Sequence, residues 1–325
     1  MSSNITEQSS RNAEVLAPPL ILLTLITVLA NITVILCVIY DKKLRNASNV
    51  YVVSLAVADL IVGVFVMGGM NVFTIYGYWP LGNNLCTAWV ALDFTCCTVS
   101  IFHLILVAYD RFLALNRPLQ YKSLATIRRS TLMSVGSWIV GLIVWLPPVI
   151  TFRVLDLKKI STDCYFVPDK KFVVSQAICV YYIPILAMIV FYTGSLRALY
   201  RQKLKVEAMD KNMGPSIDDD EVTVDISVTK TSGQDEIKIK NSNRRKTEQH
   251  TRVLRTLGVI ILMFLVCWLP FCIMWPMVAY CNDCVNPVAY ENSYWLAYVN
   301  STINPLLYFV CNRDFRTALR NLFKF

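Results

Sequence analysis

One aspartate of this sequence stands inside a run of residues that is otherwise almost entirely apolar. Asp93 lies within "WVALDFTCCTVSIFHLILVAYDRF", and a second acid, Asp110, closes the same run beside Arg111. Asp93, Cys97 and Ser100 are spaced i, i+4 and i+7, so a helix would place all three on one face. A carboxylate inside a membrane-spanning helix costs about 3 kcal/mol or more, and it therefore faces a polar cavity or a partner. We expect Asp93 to bind a partner whose chemistry is set by its neighbours.

The neighbours of Asp93 favour an organic cation as that partner. No lysine or arginine lies at the same depth in any of the apolar runs described below. Aromatic residues stand beside the aspartate and at helical spacing in two later runs: Phe94, Trp268, Phe271, Trp275, Tyr294, Trp295 and Tyr298. A carboxylate surrounded by aromatic faces suits an ammonium group, held by ion pairing and cation–π attraction. The alternative is a protonated aspartate within ordinary aromatic packing.

A second acid inside an apolar run, Asp59 in "SLAVADLIVG", has a different set of neighbours. Oxygen-bearing side chains occur on runs that could pack beside it: Asn31, Ser100, Asn300, Ser301 and Asn304. Oxygen donors around one carboxylate suit a small hard cation such as sodium, or a cluster of water molecules. A polar network that only holds the helices together is the alternative.

The elements that position these acids are predicted to be membrane-spanning helices. Hydrophobic residues make up 55% of the 325 residues and charged residues only 16%, whereas a soluble domain carries about 25% charged residues. Seven apolar runs reach the length of roughly 20 residues that a helix needs to cross a membrane: residues 18–40, 50–74, 85–110, 131–151, 172–197, 254–279 and 289–311. The sequence therefore predicts an all-α membrane protein, a seven-transmembrane helix bundle over residues 18–311.

The distribution of basic residues predicts how this bundle is oriented. With the N-terminus outside, the inner segments hold 25 of the 31 lysine and arginine residues, as the positive-inside rule requires. Residues 1–17 would then be an extracellular N-terminus, in which Asn4 of "NIT" could accept a glycan. Because the net charge of +9 belongs to the inner membrane surface, the expected partners are membrane lipids and not nucleic acid. We expect a multi-pass protein of the plasma membrane.

Four of the eleven cysteines fall in segments predicted to lie outside. Cys86 opens the third run and Cys164 lies in the outer loop after the fourth, where an oxidising compartment permits a disulfide. Cys281 and Cys284, in "CNDC", would form a second bridge between the sixth and seventh runs. Four free outer thiols are the alternative. Cys311, at the inner end of the seventh run, is a candidate for palmitoylation.

Two inner segments differ from the bundle in composition. Residues 202–249 are charged and polar without apolar runs, which predicts a disordered third inner loop between basic helix ends. Residues 312–325 place apolar side chains at helical spacing, which predicts a short amphipathic eighth helix on the inner membrane surface. That spacing rests on Phe315, Leu319, Leu322 and Phe323.

The sequence predicts neither an enzyme nor a pump. The two histidines, His103 and His250, are isolated, and no nucleophile is paired with a base, so we expect no catalytic residue. Residues 289–311 contain no lysine that could hold retinal as a Schiff base. The sequence shows no inverted repeat of the kind found in transporters. It also shows no polar lining across the full membrane depth, which a channel would need. We expect no cofactor beyond an allosteric sodium ion.

Motifs at the spacing of one family run through nearly the whole chain. "YDRF" closes the third run, "CWLP" lies in the sixth and "NSTINPLLY" in the seventh. "LANITV", "LAVAD", Trp138, Pro184 and the Cys86–Cys164 pair accompany them. In these features the sequence resembles the rhodopsin-like (class A) G-protein-coupled receptors. The resemblance implies a ligand pocket open to the outside and a heterotrimeric G protein as the inner partner.

The resemblance also implies roles for residues of the inner half. Asp110 would hold Arg111 in the inactive state, and Arg111 would contact the G protein after activation, with Tyr192 and Tyr308 as its partners. The implied activation residues of the sixth and seventh runs are Phe264, Trp268, Pro270, Asn304 and Pro305.

One inner position departs from the family pattern. Where many amine receptors carry a glutamate that pairs with the arginine, this sequence has His250, with Glu248 two residues earlier. A protonated His250 would repel Arg111, so we expect a weaker inactive clamp.

Within the family, Asp93 and the aromatic residues resemble the aminergic branch. The loop cysteines and "NSTINP" are similar to the muscarinic acetylcholine receptors, and "CCTVS" is similar to the related histamine receptors. Against the muscarinic pattern, Cys272 replaces an asparagine, while Phe94 and Phe271 replace tyrosines. The polar half of an acetylcholine site is therefore incomplete.

The residues of the fifth run do not identify the chemical group at the end of the ligand opposite its ammonium. Val180 stands where histamine receptors have an acid, Ala177 and Val180 lack the serines of catecholamine receptors, and Gln176 is the one polar group. An acetylcholine-like or histamine-like ligand is predicted; another amine (serotonin, tyramine or octopamine) or a non-amine ligand is the alternative. The expected ligand contacts are Asp93, Phe94, Cys97, Gln176, Val180, Trp268, Phe271, Cys272, Trp275, Tyr294 and Tyr298.

Overall fold

The protein is a bundle of helices. The computed structural model describes residues 2–152, 164, 166, 168–212, 230–281 and 284–323. Seven long helices pack side by side and one short helix follows them: α1 (Ser2–Tyr40), α2 (Ala47–Tyr76), α3 (Gly82–Asn116), α4 (Ile127–Ile150), α5 (from Lys170 to Asn212), α6 (Lys230–Tyr280), α7 (Pro287–Cys311) and α8 (Arg313–Leu322).

Six of these helices, α1 to α6, contain segments long and apolar enough to cross a membrane. α7 is not among them, although its 25 residues suffice in length. Its hydropathy is low because polar side chains face the bundle interior: Ser293, Asn300, Ser301, Thr302 and Asn304 are all buried. The packing of α7 against α1, α2 and α6 therefore identifies it as the seventh helix of the bundle.

α3 lies at the centre of the bundle, where it contacts α2, α4, α5 and α6. Because neighbours surround it, its side chains are buried over most of its circumference, including Asp93, Ser100 and Asp110. The acids of α3 therefore lie inside the protein and not against lipid, as the cost of a charge in hydrocarbon requires.

Both predicted disulfides are confirmed. Cys86 at the start of α3 is bonded to Cys164 in the outer connection between α4 and α5, with 5.7 Å between their Cα atoms. Cys281 and Cys284 are bonded to each other in the connection between α6 and α7. The alternative of four free outer thiols is thereby excluded.

The first helix extends further toward the N-terminus than the sequence indicated. α1 begins at Ser2, so the predicted N-terminal segment of residues 1–17 is helical from its second residue. Glutamate, glutamine, arginine and alanine in this segment are good helix formers, which accounts for the extension. Asn4, the predicted glycan acceptor, lies outside the residues whose side chains are described.

The predicted inner loop over residues 202–249 needs a correction at both ends. α5 continues to Asn212 and α6 begins at Lys230, so these ends are helical and not disordered. Lysine, glutamate, leucine and alanine in "RQKLKVEAM" favour helix, and charge alone does not prevent it. The middle of the predicted loop, residues 213–229, lies outside the described residues.

The predicted eighth helix is present as α8. Asn312 ends α7 in an extended conformation and caps α8 by accepting a hydrogen bond from the Asp314 amide at 2.9 Å. Phe315 is buried beneath Tyr308, with ring centroids 5.7 Å apart. Phe323 follows the helix end and is exposed, so it does not belong to the packed face.

α5 is interrupted by a π-helical turn over Ala177–Tyr182. The wider turn brings both Val180 and Tyr181 to the buried face, along with Ala177. This local change decides which side chains of α5 reach the centre of the bundle.

Candidate functional site

Asp93 is buried near the outer half of α3 and is hydrogen-bonded to two neutral groups. Its Oδ2 accepts a hydrogen bond from the Tyr298 hydroxyl at 3.0 Å, and its Oδ1 accepts one from the Cys97 thiol at 3.4 Å. The ion pairs found among the described side chains join Arg111 to Asp110 and Arg244 to Glu248. Within the described part of the chain, Asp93 therefore has no cationic partner.

A narrow cavity lies against this carboxylate. Its walls come from α3, α5, α6 and α7: Asp93, Phe94, Cys97, Tyr181, Trp268, Phe271, Tyr294, Ala297 and Tyr298. The space open to the centre of a water molecule is about 10 Å³, which corresponds to roughly one water molecule. In this conformation the cavity leaves room for only a small group beside Asp93.

Aromatic rings form most of the cavity wall and hold one another in place. Phe271 meets Tyr294 edge to face, with 4.8 Å between ring centroids, and Trp268 stacks on Tyr181 at 5.8 Å. Such pairs fix ring orientation because the edge of one ring is attracted to the face of the next. A carboxylate beside fixed aromatic faces can bind an ammonium by charge and by cation–π attraction.

The structure brings seven of the eleven predicted contact residues to this cavity. The other four, Gln176, Val180, Cys272 and Trp275, do not line it. Trp275 forms the next layer of aromatic packing, 5.8 Å from Phe94 between centroids. Val180 and Cys272 are buried in the contacts between helices.

Two cavity residues, Tyr181 and Ala297, were not predicted from the sequence. Val173, Ala177 and Tyr181 recur every four residues and are all buried, so the spacing indicated that Tyr181 faces inward. Gln176 and Val180 were predicted instead, because they occupy the positions at which related receptors carry polar side chains on the fifth run.

Asp59 lies deeper in the bundle and accepts three side-chain hydrogen bonds. Ser100 donates at 3.2 Å and Ser301 at 2.8 Å to its Oδ1, and Asn304 donates at 3.0 Å to its Oδ2. The carboxylate is fully buried. These contacts join α2 to α3 and α7.

Asn31 and Asn300, also predicted for this network, do not bond to Asp59. The Asn31 amide donates to the Ser301 carbonyl at 3.0 Å, which ties α1 to α7. Asn300 is buried, and its Oδ1 has no hydrogen-bond partner among the described residues.

At the inner end of α3, Asp110 holds the adjacent arginine. The Arg111 guanidinium lies 3.2 Å from Asp110, which also accepts hydrogen bonds from Ser48 at 2.8 Å and Tyr121 at 3.1 Å. Burial, with the nearby Asp110 carboxylate, raises the pKa of Tyr121. Its hydroxyl therefore stays protonated at neutral pH and remains a hydrogen-bond donor.

A second, larger cavity of about 530 Å³ opens at this inner end. Its charged lining residues are Asp110, Arg111, Arg245, Glu248, Arg252, Arg313 and Asp314. Glu248 pairs with Arg244 at 3.4 Å and not with Arg111, and His250 does not line the cavity. Residues of α2, α3, α6, α7 and α8 thus surround a charged opening at the inner end of the bundle.

The remaining predicted activation residues lie between the two cavities or beside the inner one. Phe264 stacks on Trp268, with 5.9 Å between centroids, directly below the outer cavity. Tyr308 lines the inner cavity, whereas Tyr192 packs over Gly258 of α6, where a Cβ atom would collide with its ring. Asn304 bonds to Asp59, and Pro270 and Pro305 lie within α6 and α7.

Comparison with known proteins assigns the fold to a family. The family described as 7 transmembrane receptor (rhodopsin family) matches residues 30–308. The chain is 30% identical to Probable G-protein coupled receptor No18 of Amphibalanus amphitrite, over 94% of this chain and 88% of that protein.

Other relatives carry the name of an amine. The chain is 30% identical to 5-hydroxytryptamine receptor 1B of Mus musculus, covering 94% of this chain and 86% of the relative. It is 31% identical to the D(1) dopamine receptor of Carassius auratus, covering 96% and 88%. The predicted seven-helix fold is confirmed by the family match, while the finer similarity to muscarinic and histamine receptors stays a prediction.

Proposed function

Because this chain belongs to the rhodopsin family of seven-transmembrane receptors, we propose that it is a receptor for a small biogenic amine that signals through a heterotrimeric G protein. The family consists of multi-pass membrane proteins that act as signalling receptors and not as enzymes. The plasma membrane, with the N-terminus outside, is the proposed location, since it exposes the Asp93 cavity to an external amine.

The observation that most directly supports this proposal is that the buried carboxylate of Asp93 has no cationic partner among the described residues. Asp93 accepts hydrogen bonds only from a phenol and a thiol, which are neutral donors. An ionised group in such a site is stable only if a charge compensates it. The aromatic wall favours an organic ammonium over a hydrated metal ion, because cation–π attraction replaces lost water contacts.

The identity of the amine is proposed only as a class. Serotonin and dopamine enter as candidates through the names of the relatives, and acetylcholine and histamine through the sequence motifs. Ala177 and Val180 place no hydroxyl on the buried face of α5, which disfavours a catechol-binding site of the serine type. Tyramine and octopamine remain alternatives of the same class.

Signalling would couple the two cavities through α3 and α6. An amine beside Asp93 contacts Trp268, which stacks on Phe264 of the same helix. Release of Arg111 from Asp110 would free the arginine for the G protein in the inner cavity. The ligand would act by favouring this open conformation, as a shift in population.

A sodium ion at Asp59 is a secondary part of the proposal. Oxygen atoms that suit a hard cation lie at this site: the Asp59 carboxylate and the hydroxyls of Ser100 and Ser301 that bond to it. Asp59, Ser100 and Ser301 would hold the ion. When bound, sodium would supply positive charge that stabilises the ionised carboxylate.

The test is an amine screen with a matched variant. Cells expressing the epitope-tagged receptor are exposed to acetylcholine, histamine, serotonin, dopamine, tyramine and octopamine, and G-protein activation is measured alongside surface expression. We expect a response to at least one amine and its loss in Asp93→Asn at equal surface expression. Silence toward every amine by a receptor at the surface, or an unchanged response of Asp93→Asn, would refute the proposal and favour a non-amine ligand.

A further inference from the structure

Two polar atoms of the outer cavity wall have no hydrogen-bond partner among the described residues. They are the Tyr181 hydroxyl on α5 and the Trp268 indole nitrogen on α6, and both residues line the cavity beside Asp93. Tyr181 is only 1% exposed and Trp268 only 3%. Buried polar groups without partners destabilise a fold, so such groups in a cavity wall point to a ligand that supplies the partner.

The ring of Tyr181 is held in place by its neighbours. It stacks on Trp268 at 5.8 Å and meets Phe271 and Trp275 edge to face, each with 6.0 Å between centroids. Three neighbouring rings therefore restrict where the hydroxyl can point. Its fixed position makes Tyr181 suited to recognition, since little rotational freedom is lost on binding.

Tyr181 is the one side chain through which α5 lines this cavity. Val180 and Ala177, its neighbours on the buried face, are apolar, and Gln176 is not part of the wall. The Tyr181 hydroxyl, and not the predicted Gln176 amide, is thus the polar group that α5 contributes to the cavity wall.

The chemistry of the two atoms defines what they can bind. The indole N–H is a donor only, and the phenol can donate as well as accept. Because both residues line the same small cavity, an acceptor on one ligand, such as a carbonyl, ether or hydroxyl oxygen or an unprotonated ring nitrogen, could satisfy these donors.

We propose that Tyr181 and Trp268 form a second polar subsite, which binds a hydrogen-bond acceptor on the same small molecule whose ammonium pairs with Asp93. This inference rests on the proposed amine function and narrows it to amines with an acceptor at the far end. The small volume of the cavity favours a compact ligand, with the cation and the acceptor a few bonds apart.

The test uses pairs of ligands that differ only in their oxygen atoms. Acetylcholine is compared with pentyltrimethylammonium, and dopamine with phenethylamine, by binding to the purified full-length receptor in detergent. Tetramethylammonium, which has no far end, reports on the Asp93 site alone. We expect at least one oxygen-bearing member to bind about tenfold more tightly than its partner, as a bidentate hydrogen bond in a dry site supplies.

Tyr181→Phe should reduce this preference to less than about threefold, while the affinity for the oxygen-free member stays unchanged. Tyr182→Phe is the matched control, because the Tyr182 hydroxyl already donates to the Cys272 carbonyl at 2.8 Å and does not line the cavity. It should leave the preference intact. Thermal unfolding of each variant shows that the fold is retained.

Two results would refute the proposed subsite of Tyr181 and Trp268. One is an equal affinity for both members of each pair in the wild-type receptor, and the other is a preference that survives in Tyr181→Phe. If tetramethylammonium still binds and is lost in Asp93→Asn, only the subsite fails and the amine function stands. If no ammonium compound binds, the proposed function fails and the subsite falls with it.

Discussion

Asp59 and Asp93 are both buried carboxylates of the same bundle, but the chain satisfies them differently. Asp59 accepts hydrogen bonds from two hydroxyls and an amide, contributed by α3 and α7. Asp93 accepts one from a phenol and one from a thiol, and a thiol is a weak donor. The deeper acid is thus built into the helix packing, whereas the outer acid keeps capacity for a partner from outside.

The surroundings sharpen this difference. Polar residues of α1, α3 and α7 surround Asp59, and Asn31 extends the network to the Ser301 carbonyl. Rings surround Asp93, with Phe94 and Tyr298 in its cavity wall. Burial alone therefore does not make a carboxylate a ligand site. The number and strength of the hydrogen-bond donors that the protein itself provides distinguish Asp93 from Asp59.

The largest effect is expected from removing the charge of Asp93. Asp93→Asn should lower the affinity for the activating amine at least about 30-fold, because truncating one partner of a buried charge pair costs about 2–5 kcal/mol. The affinity is measured by the binding of a radioactive or fluorescent ligand to membranes that contain the receptor. Asp59→Asn is the comparison variant and should lower amine affinity much less than Asp93→Asn, because Asp59 does not line the amine cavity. Equal losses in the two variants would erase the distinction between the sites.

Tyr298→Phe should have the next largest effect. Its hydroxyl donates to Asp93 at 3.0 Å and fixes the carboxylate toward the cavity. A hydrogen bond to a charged group contributes about 1.5–3 kcal/mol, so we expect amine affinity to fall about tenfold. The ring and its packing on Tyr294 are kept. A rise in affinity would mean that Tyr298 competes with the ammonium and does not orient the acid.

Ser301→Ala should affect stability more than binding. It removes the 2.8 Å donor to Asp59 from a fully buried site, which costs about 1–2 kcal/mol of unfolding free energy. Thermal unfolding of the purified receptor should show a lower Tm, with amine affinity nearly unchanged. If stability were unaffected, the Asp59 site would not be part of the structural frame.

Cys97→Ala should give the smallest effect of the series. The thiol lies 3.4 Å from Asp93 and donates weakly, so we expect amine affinity to change by less than about threefold. The same binding assay measures it. A loss as large as that of Tyr298→Phe would show that the two donors of Asp93 are equivalent.

Much of this arrangement is readable from the sequence because apolar length and helical spacing are local properties. Asp93 with Phe94 and Cys97 follows from one helix, and the aromatic residues Trp268 and Phe271 follow from another. The seventh helix is the weaker case, since Asn300 and Asn304 lower its hydropathy although they face inward.

What the sequence did not predict depends on geometry between helices. The π-helical turn of α5 buries Val180 and Tyr181 side by side, and no residue pattern announces such a turn in advance. Trp275 was expected at the ligand but stacks in the layer beyond it, because its distance from Asp93 depends on how α6 packs against α3. Basic ends of α5 and α6 were predicted beside the inner loop, but they extend further into it, to Asn212 and from Lys230, than the bounds 202–249 indicated.

An experimental structure of the receptor bound to its activating amine tests the central claim most directly. The account predicts the ammonium nitrogen within about 4 Å of an Asp93 carboxylate oxygen, with the rings of Phe94 and Tyr298 beside it. An Asp93 carboxylate paired with a lysine or arginine of the chain itself, with the amine bound elsewhere, would contradict it.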